Sequence, residues 1–219
     1  MERSHQYSAA VLGSTGAIGL KLIDLLMTDE RCSHIVAIAR KSLPAWSEYS
    51  TSKLNVIEVP NLDNMYEERK QFEGCDQFFC CIGSTTNQGK DVFKKVDIEY
   101  PLEFAKIALE VGAKRFSLVS SVGANATSWF LYMKTKGEVE EKLKKIDLQN
   151  LTIARPALLI GRGAATRCRE KFYACIPCAA RIDCNDVGKA LIENCLTSTE
   201  TVETLENREL LRLARKSEL

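Results

Sequence analysis

Gly13-Ser14-Thr15-Gly16-Ala17-Ile18-Gly19 stands between a short apolar run, Ala9 to Leu12, and a helical pattern over residues 17 to 28. After a strand, glycines at this spacing allow a tight turn, a close approach of the backbone to a pyrophosphate, and close packing of the helix on the strand. The start of the helix adds unpaired N–H groups and a partial positive charge. The stretch therefore predicts the phosphate-binding turn of a dinucleotide-binding fold, with all seven residues at the cofactor.

Short apolar runs alternate with helical patterns along most of the chain. The predicted strands are Ala9 to Leu12, Ile35 to Ala39, Leu54 to Val59, Gln77 to Ile82, Phe116 to Ser120 and Leu151 to Ala154. The predicted helices cover residues 17 to 28, 91 to 112 and 130 to 146, a segment that begins near Asp186, and Thr201 to Arg215. This alternation predicts an α/β fold, a Rossmann-type doubly wound parallel sheet with helices on both faces.

The length and composition suit one domain. A chain of 219 residues with 45% apolar content can bury one large core. We predict a single domain over residues 1–219, with a cofactor core over 1–160 and a small substrate-side segment with C-terminal helices over 161–219. The rhythm of strands and helices breaks at this boundary, after Pro156, in a stretch rich in glycine and arginine.

Charge and hydropathy exclude several classes of protein. The formal net charge is +1 and no long basic stripe is present, so we expect no nucleic-acid partner. No apolar stretch approaches the ~18 residues that a membrane-spanning helix needs. The polar start of the chain lacks the apolar core of a secretory signal. These features predict a cytoplasmic protein without a transmembrane segment.

The nine cysteines predict reduced thiols, because their number is odd and they are spread through predicted strands and helices. One cluster includes a C-x-x-C pair and consists of Cys168, Cys175, Cys178 and Cys184. Both histidines, His5 and His34, lie far from it in sequence. We therefore expect buried thiols and no metal, and a zinc or thiol-redox module is the alternative.

The end of the second strand indicates which dinucleotide binds. Arg40-Lys41 stands where NAD-selective enzymes usually carry an acidic residue for the ribose 2′-hydroxyl. Arg40 can bind a 2′-phosphate instead, and such a charge-assisted contact contributes about 1.5–3 kcal/mol, or about one to two decades of affinity. We therefore predict NADP(H) as the cofactor, with Arg40 and Lys41 in its site.

Further cofactor contacts are expected after the third and fourth strands. Glu58 and Val59 end the third strand and would lie near the adenine. Ile82, Gly83 and Ser84 follow the fourth strand and would pass beneath the ribose. Both sets lie at the carboxyl ends of strands, where open α/β sheets bind their ligands.

The candidate catalytic residues are a serine, a tyrosine and a lysine. The pattern Y-x-x-x-K occurs three times, as Tyr49 with Lys53, Tyr66 with Lys70, and Tyr132 with Lys136. Only the third pair follows a strand that ends in a serine, Ser120-Ser121, beside the expected cofactor crevice. Tyr132 and Lys136 share a helix face because they are four residues apart. An ammonium group ~4 Å from a phenol stabilises its ionised form by about 4 kcal/mol at an effective dielectric constant of about 20.

Together these residues resemble the atypical short-chain dehydrogenase/reductases, most closely the Tat-interacting oxidoreductase-like proteins and their fungal mitochondrial and bacterial relatives. The resemblance covers most of the chain and is carried by Cys80 to Thr86, Phe130 to Tyr132, Lys136 to Glu140, Arg155-Pro156 and Leu205 to Asn207. It implies NADPH binding, with Ser121, Tyr132 and Lys136 as the catalytic triad and Pro156 at the cofactor. Ser120 remains the alternative serine, since the two are adjacent.

Two departures bear on activity. Asp97 stands about where better-known members of that family have an asparagine, so the proton relay differs. The segment between Gly163 and Asp186 is short and leaves little material for a substrate lid.

We predict an NADPH-dependent reductase of a small carbonyl compound, and the alternative is a regulatory protein that binds NADPH with little or no turnover. A protein partner or a homodimer, and association with the mitochondrial surface or the nucleus, are expected from the resemblance alone.

Overall fold

The computed structural model describes residues 6–48, 53–161 and 180–217 of the chain. The strands in chain order are β1 Tyr7–Leu12, β2 Cys32–Ala39, β3 Leu54–Glu58, β4 Gln77–Cys80, β5 Arg115–Val119, β6 Leu151–Arg155, β7 Leu158–Ile160, β8 Arg181–Asp183 and β9 Val202–Glu206. Seven of them form one parallel sheet in the order β3-β2-β1-β4-β5-β6-β9. The short strands β7 and β8 form a separate parallel pair.

Helices cover both faces of the seven-stranded sheet. They are α1 Ala17–Thr28, α2 Lys90–Lys94, α3 Tyr100–Glu110, α4 Leu131–Leu143, α5 Cys184–Thr197 and α6 Asn207–Lys216. A π-helical turn, Lys95–Glu99, joins α2 to α3. Three segments, Pro44–Glu48, Leu62–Phe72 and Thr86–Gln88, are 3₁₀ helices.

Two apolar cores lie on opposite sides of the sheet, and this confirms the predicted Rossmann-type doubly wound fold. Helices α1, α5 and α6 pack on one side, and α3, α4 and the 3₁₀ segment Leu62–Phe72 pack on the other. All six residues of β1 are buried, as expected for a parallel strand covered on both faces. The carboxyl ends of β1, β4 and β5 therefore meet at one edge, where the candidate site lies.

Gly112 ends α3 as the sequence predicts. Its φ of 71° is left-handed, which suits a residue without a Cβ. Its N–H donates to the Leu109 carbonyl at 3.2 Å, and the Ala113 N–H donates to the Ala108 carbonyl at 2.9 Å. These two bonds form a Schellman motif, which turns the chain directly towards β5.

The predicted helix over Thr201 to Arg215 is wrong in its first third. Val202–Glu206 is the edge strand β9, and α6 begins only at Asn207. β9 pairs with β6 along its whole length, and Glu203 accepts hydrogen bonds from Arg115 and Asn194. Pairing with a strand some 50 positions earlier therefore outweighs the local helical pattern. The strands β7 and β8 were also not predicted.

Candidate functional site

The glycine turn after β1 is built by main-chain contacts. Gly13 has a left-handed φ of 81°, and a Cβ on it would lie 2.5 Å from the backbone nitrogen of Ile82. The Gly16 N–H donates to the Gly13 carbonyl at 2.9 Å. A Cβ on Gly19 would overlap that same carbonyl oxygen. The turn thus lies directly beside the segment that follows β4, and glycine is required at its first and last positions.

The start of α1 suits an anionic group. Gly16 is the N-cap and has no side chain that could satisfy the first N–H groups of the helix, and the first turn contains no acidic residue. These N–H groups and the helix dipole favour a phosphate at this place. Within the turn, Ser14 is fully buried and donates from Oγ to the Ile38 carbonyl at 2.6 Å. Its hydroxyl therefore holds the turn to β2.

The residues expected near the adenine end lie together after β2 and β3. Arg40 and Lys41 are exposed. Glu58 accepts a hydrogen bond from the Ser42 N–H at 2.9 Å, which fixes the turn that carries Arg40 and Lys41. Val59 is 4% exposed and packs into the core, so its side chain faces away from solvent.

The loop after β4 is tied to a buried carboxylate. The N–H and Oγ of Ser84 both donate to Asp97 Oδ2, each at 2.8 Å. A Cβ on Gly83 would lie 3.5 Å from Asp97 Oδ1 and 3.7 Å from Lys136 Nζ. Gly83 therefore covers these two charged groups, and the polar groups of Ser84 are already engaged inside the protein.

Lys136 is buried as an ion pair. Its Nζ lies 2.8 Å from Asp97 Oδ1, and the two side chains are 6% and 0% exposed. Burial acts to lower the pKa of Lys136, but its interactions with the Asp97 carboxylate and with Tyr132 together outweigh burial, and the pKa is raised. Lys136 therefore carries its positive charge next to the loop Gly83–Ser84.

Tyr132 lies one helical turn before Lys136 on α4. Its ring stacks on that of Phe93, with centroids 5.8 Å apart and planes inclined by 20°. Phe93 is fully buried, so the stack fixes the half-buried tyrosine ring against the core. Tyr132 also interacts electrostatically with Lys136. The structure thus brings the predicted tyrosine and lysine together.

The two serines after β5 have different surroundings. Ser120 is buried, and its hydroxyl donates to the Glu140 carboxylate. Arg155 donates to the same carboxylate from Nε at 3.1 Å and from its terminal nitrogen at 2.6 Å, and Glu140 and Glu206 hold the pKa of Arg155 above its ordinary value. Ser121 is half-buried and donates only a long bond, 3.3 Å, to the Val122 carbonyl. The Ser120 hydroxyl is therefore part of an internal network, whereas Ser121 has the more accessible position.

The other two Y-x-x-x-K pairs serve other contacts. Tyr66 lies on the 3₁₀ segment Leu62–Phe72 and donates from its hydroxyl to Glu110 at 2.6 Å. Lys53 donates to the carbonyls of Met27 and Asp29 at 3.0 and 2.7 Å. Tyr49 lies outside the described residues. The choice of Tyr132 over these two pairs therefore still rests on its strand context.

Most of the cysteine cluster, Cys168, Cys175 and Cys178, lies outside the described residues, and Cys184 is fully buried on α5. Burial raises the pKa of Cys75 and of Cys80 to about 12 and that of Cys32 to about 11. These three thiols are therefore protonated at neutral pH and poor nucleophiles. Within residues 6–48, 53–161 and 180–217, no three His, Cys, Asp or Glu side chains form a metal-binding group.

Sequence reasoning noted Asp97 but missed its ion pair with Lys136, and it did not identify Glu140. The available signal was a charge on an apolar face. Asp97 comes four residues after the buried Phe93, and Glu140 comes four residues after Lys136 on the buried side of α4. A charge at such a position needs a partner, because an unpaired buried charge is very costly.

In the part of the chain that the structure describes, no helix has the length and apolarity to span a membrane.

The model of a family described as NAD(P)H-binding matches residues 13–194. The protein HTATIP2 of Rattus norvegicus is 32% identical over 222 residues, covering 96% of this chain and 90% of that protein. The mitochondrial protein FMP52 of Candida albicans is 35% identical over 157 residues, covering 70% of this chain and 68% of that protein. The oxidoreductase ylbE of Lactococcus lactis has a similar fold, with a TM-score of 0.68, 24% identity, and coverage of 94% of this chain and 95% of that one.

Proposed function

This chain belongs to the NAD(P)H-binding family, and we propose that within it the protein is an NADPH-dependent reductase of a small carbonyl compound. The observation that carries the proposal is the arrangement on α4. Tyr132 lies one turn from a buried, charged Lys136, and Lys136 lies beside the loop that follows β4.

The cofactor would be held at the carboxyl edge of the sheet. The glycine turn and the N–H groups of α1 suit the pyrophosphate, and Arg40 and Lys41 suit a 2′-phosphate. The backbone of Ile82 to Ser84, together with Pro156, would lie along the nicotinamide half. When bound, the reduced nicotinamide supplies the hydride that reduces the carbonyl carbon.

The side chains would handle the oxygen of the substrate. Tyr132 donates its phenolic proton to the carbonyl oxygen as the carbon is reduced, so that an alcohol forms, and the phenol regains a proton from solvent. Ser121 donates a hydrogen bond that holds the same oxygen in place. Lys136 stabilises the negative charge that develops on the tyrosine oxygen.

Oxidation of NADPH across a panel of aldehydes, ketones and quinones tests the proposal. Substrate-dependent oxidation is the expected result. Tight NADPH binding without oxidation by any compound would instead support a regulatory protein that senses the cofactor.

As part of the same proposal, the protein acts in the cytoplasm, although its fungal relatives are named mitochondrial. It also pairs with a second copy of itself or with another protein.

The first prediction concerns the choice of dinucleotide. Arg40→Ala should weaken NADPH binding by one to two decades, because an arginine–phosphate contact contributes about 1.5–3 kcal/mol. NADH has no 2′-phosphate, so its affinity should change little. Calorimetric titration of both dinucleotides measures the ratio. Arg208→Ala, at an exposed position on α6, is the control, and an unchanged ratio in Arg40→Ala would remove the preference for NADPH.

An apolar rim adjoins the candidate site and favours a substrate with an apolar body. We define the rim as Val122, Trp129, Phe130 and Met133, whose side chains are at least one third exposed. Val122 follows Ser121, and the other three residues flank Tyr132 in the chain. A Cβ on Gly123 would lie 3.4 Å from the Met133 side chain, so the rim joins the loop after β5 to α4.

The second prediction uses Trp129 as a reporter. The chain has two tryptophans; Trp46 is 6% exposed and Trp129 is fully exposed. An apolar carbonyl compound bound to the rim should shift the emission of Trp129 to shorter wavelength. Trp129→Ala should lower kcat/KM for such a compound about tenfold, since about 50 Å² of lost apolar contact corresponds to about 1.3 kcal/mol.

The control is Val202→Ala, which removes an exposed apolar side chain at the opposite, amino-terminal edge of the sheet. It should change neither the emission nor kcat/KM. If Trp129→Ala lowered kcat/KM equally for apolar carbonyl compounds and for the smallest polar ones, the role of the rim in substrate choice would be contradicted.

A further inference from the structure

Asp97 is a buried carboxylate that joins two parts of the candidate site. It lies in the π-helical turn Lys95–Glu99 with its side chain fully buried. One oxygen faces Lys136 Nζ at 2.8 Å, and the other accepts two hydrogen bonds from Ser84 at 2.8 Å. The loop after β4 and the lysine of α4 are therefore held by one side chain.

The electrostatic surroundings make Asp97 the counter-ion of Lys136. The titratable groups that act on the lysine are Asp97 from the π turn, Tyr132 from its own helix and Cys80 from β4. Cys80 is a neutral thiol at physiological pH, because burial raises its pKa to about 12. A buried lysine without an anion loses its proton readily, so the charge of Lys136 depends on the carboxylate.

We propose that Asp97 is a positioning residue that keeps Lys136 charged and in place, and that couples it to the Gly83–Ser84 loop on which the cofactor would rest. The inference rests on the proposed function for the role that Lys136 serves. An asparagine at this position could not both neutralise Lys136 and hold the Gly83–Ser84 loop. It has one acceptor oxygen for donors that approach from two sides, and it has no charge.

The test is the titration of the Lys136 side chain by ¹³C NMR, assigned with a Lys136→Arg variant. In the unaltered protein the lysine should remain charged beyond the ordinary pKa of lysine, because its pKa is raised. In Asp97→Asn the midpoint should fall by at least about one pH unit, because the main group that opposes burial is then lost. Asp97→Glu keeps the charge and should preserve most of the lysine's titration behaviour.

A matched control exists in the same turn. Lys95 pairs with Asp63 at 2.7 Å, but both side chains are about 41% exposed. Asp63→Asn should leave the titration of Lys136 and the affinity for NADPH unchanged. An unchanged Lys136 midpoint in Asp97→Asn would overturn the proposal.

Two further measurements separate the possible failures. If the protein reduces carbonyl compounds, the alkaline limb of kcat/KM in Asp97→Asn should move to lower pH, since the site loses its ammonium earlier. If no compound is reduced, the proposed function fails, whereas the NMR titration still decides the role of Asp97. If Asp97→Asn does not fold, Ser84→Ala is the second variant, because it keeps both charges of the Asp97–Lys136 ion pair. It should weaken NADPH binding about threefold or more. Unchanged binding would refute the coupling of Asp97 to the loop.

Discussion

The variant Tyr132→Phe should lose about 10² to 10⁴-fold in turnover while binding NADPH almost as tightly as the unaltered protein. The substitution removes one hydroxyl, and positioned general acids contribute rate factors of about this size. The phenylalanine ring can keep the stack on Phe93, which is 5.8 Å away between centroids. Stopped-flow measurement of NADPH oxidation, with binding measured separately, distinguishes a lost proton donor from a lost cofactor site.

Tyr66→Phe is the matched control for this variant. Tyr66 belongs to a second Y-x-x-x-K pair and donates its hydroxyl to Glu110 on the protein surface. Loss of the Tyr66 hydroxyl should leave turnover unchanged. Undiminished turnover in Tyr132→Phe would contradict the assigned chemistry and leave only the binding of the cofactor.

The glycine turn, the strands that run into it and the helix α1 could be predicted because their signals are local. The predicted helix over residues 17 to 28 has the same bounds in the structure, and Gly112 ends α3 through bonds within one turn. β9 could not be predicted in this way. Its five residues become a strand through pairing with β6, and a window along the chain contains no information about a partner so far away.

The same division applies to the candidate site. Tyr132 and Lys136 could be proposed from their spacing together with the strand and serines that precede them, because residues four apart on a helix share a face. The partners of the buried charges could not be predicted from spacing. Asp97 meets Lys136 across 39 positions of chain, and Arg155 meets Glu140 across 15. Neighbouring serines, Ser120 and Ser121, could be separated only once the Glu140 carboxylate was placed beside the first.

The last prediction concerns the glycine on which the cofactor turn depends. Gly19→Ala should destabilise the protein and abolish measurable NADPH binding, because the added Cβ would overlap the carbonyl oxygen of Gly13. The obstacle is backbone, so no side-chain rotation can relieve it. Overpacking of this kind costs up to about 3 kcal/mol, of which the ~1 kcal/mol that alanine gains over glycine within a helix is recovered. The net loss of about 2 kcal/mol lowers the Tm of a domain of this size by about 4–8 °C.

Gly16→Ala provides a graded comparison within the same turn. Its backbone is extended, and the new Cβ would lie 3.1 Å from the Gly13 oxygen, so a shift of a few tenths of an ångström accommodates it. Its loss in Tm should therefore be smaller than that of Gly19→Ala. Thermal unfolding with and without NADPH measures both effects, since a ligand stabilises by RT ln(1 + [L]/Kd). Full stabilisation of Gly19→Ala by NADPH would mean that the phosphates bind elsewhere, because a turn displaced by this overlap cannot keep its N–H groups aimed at one anion.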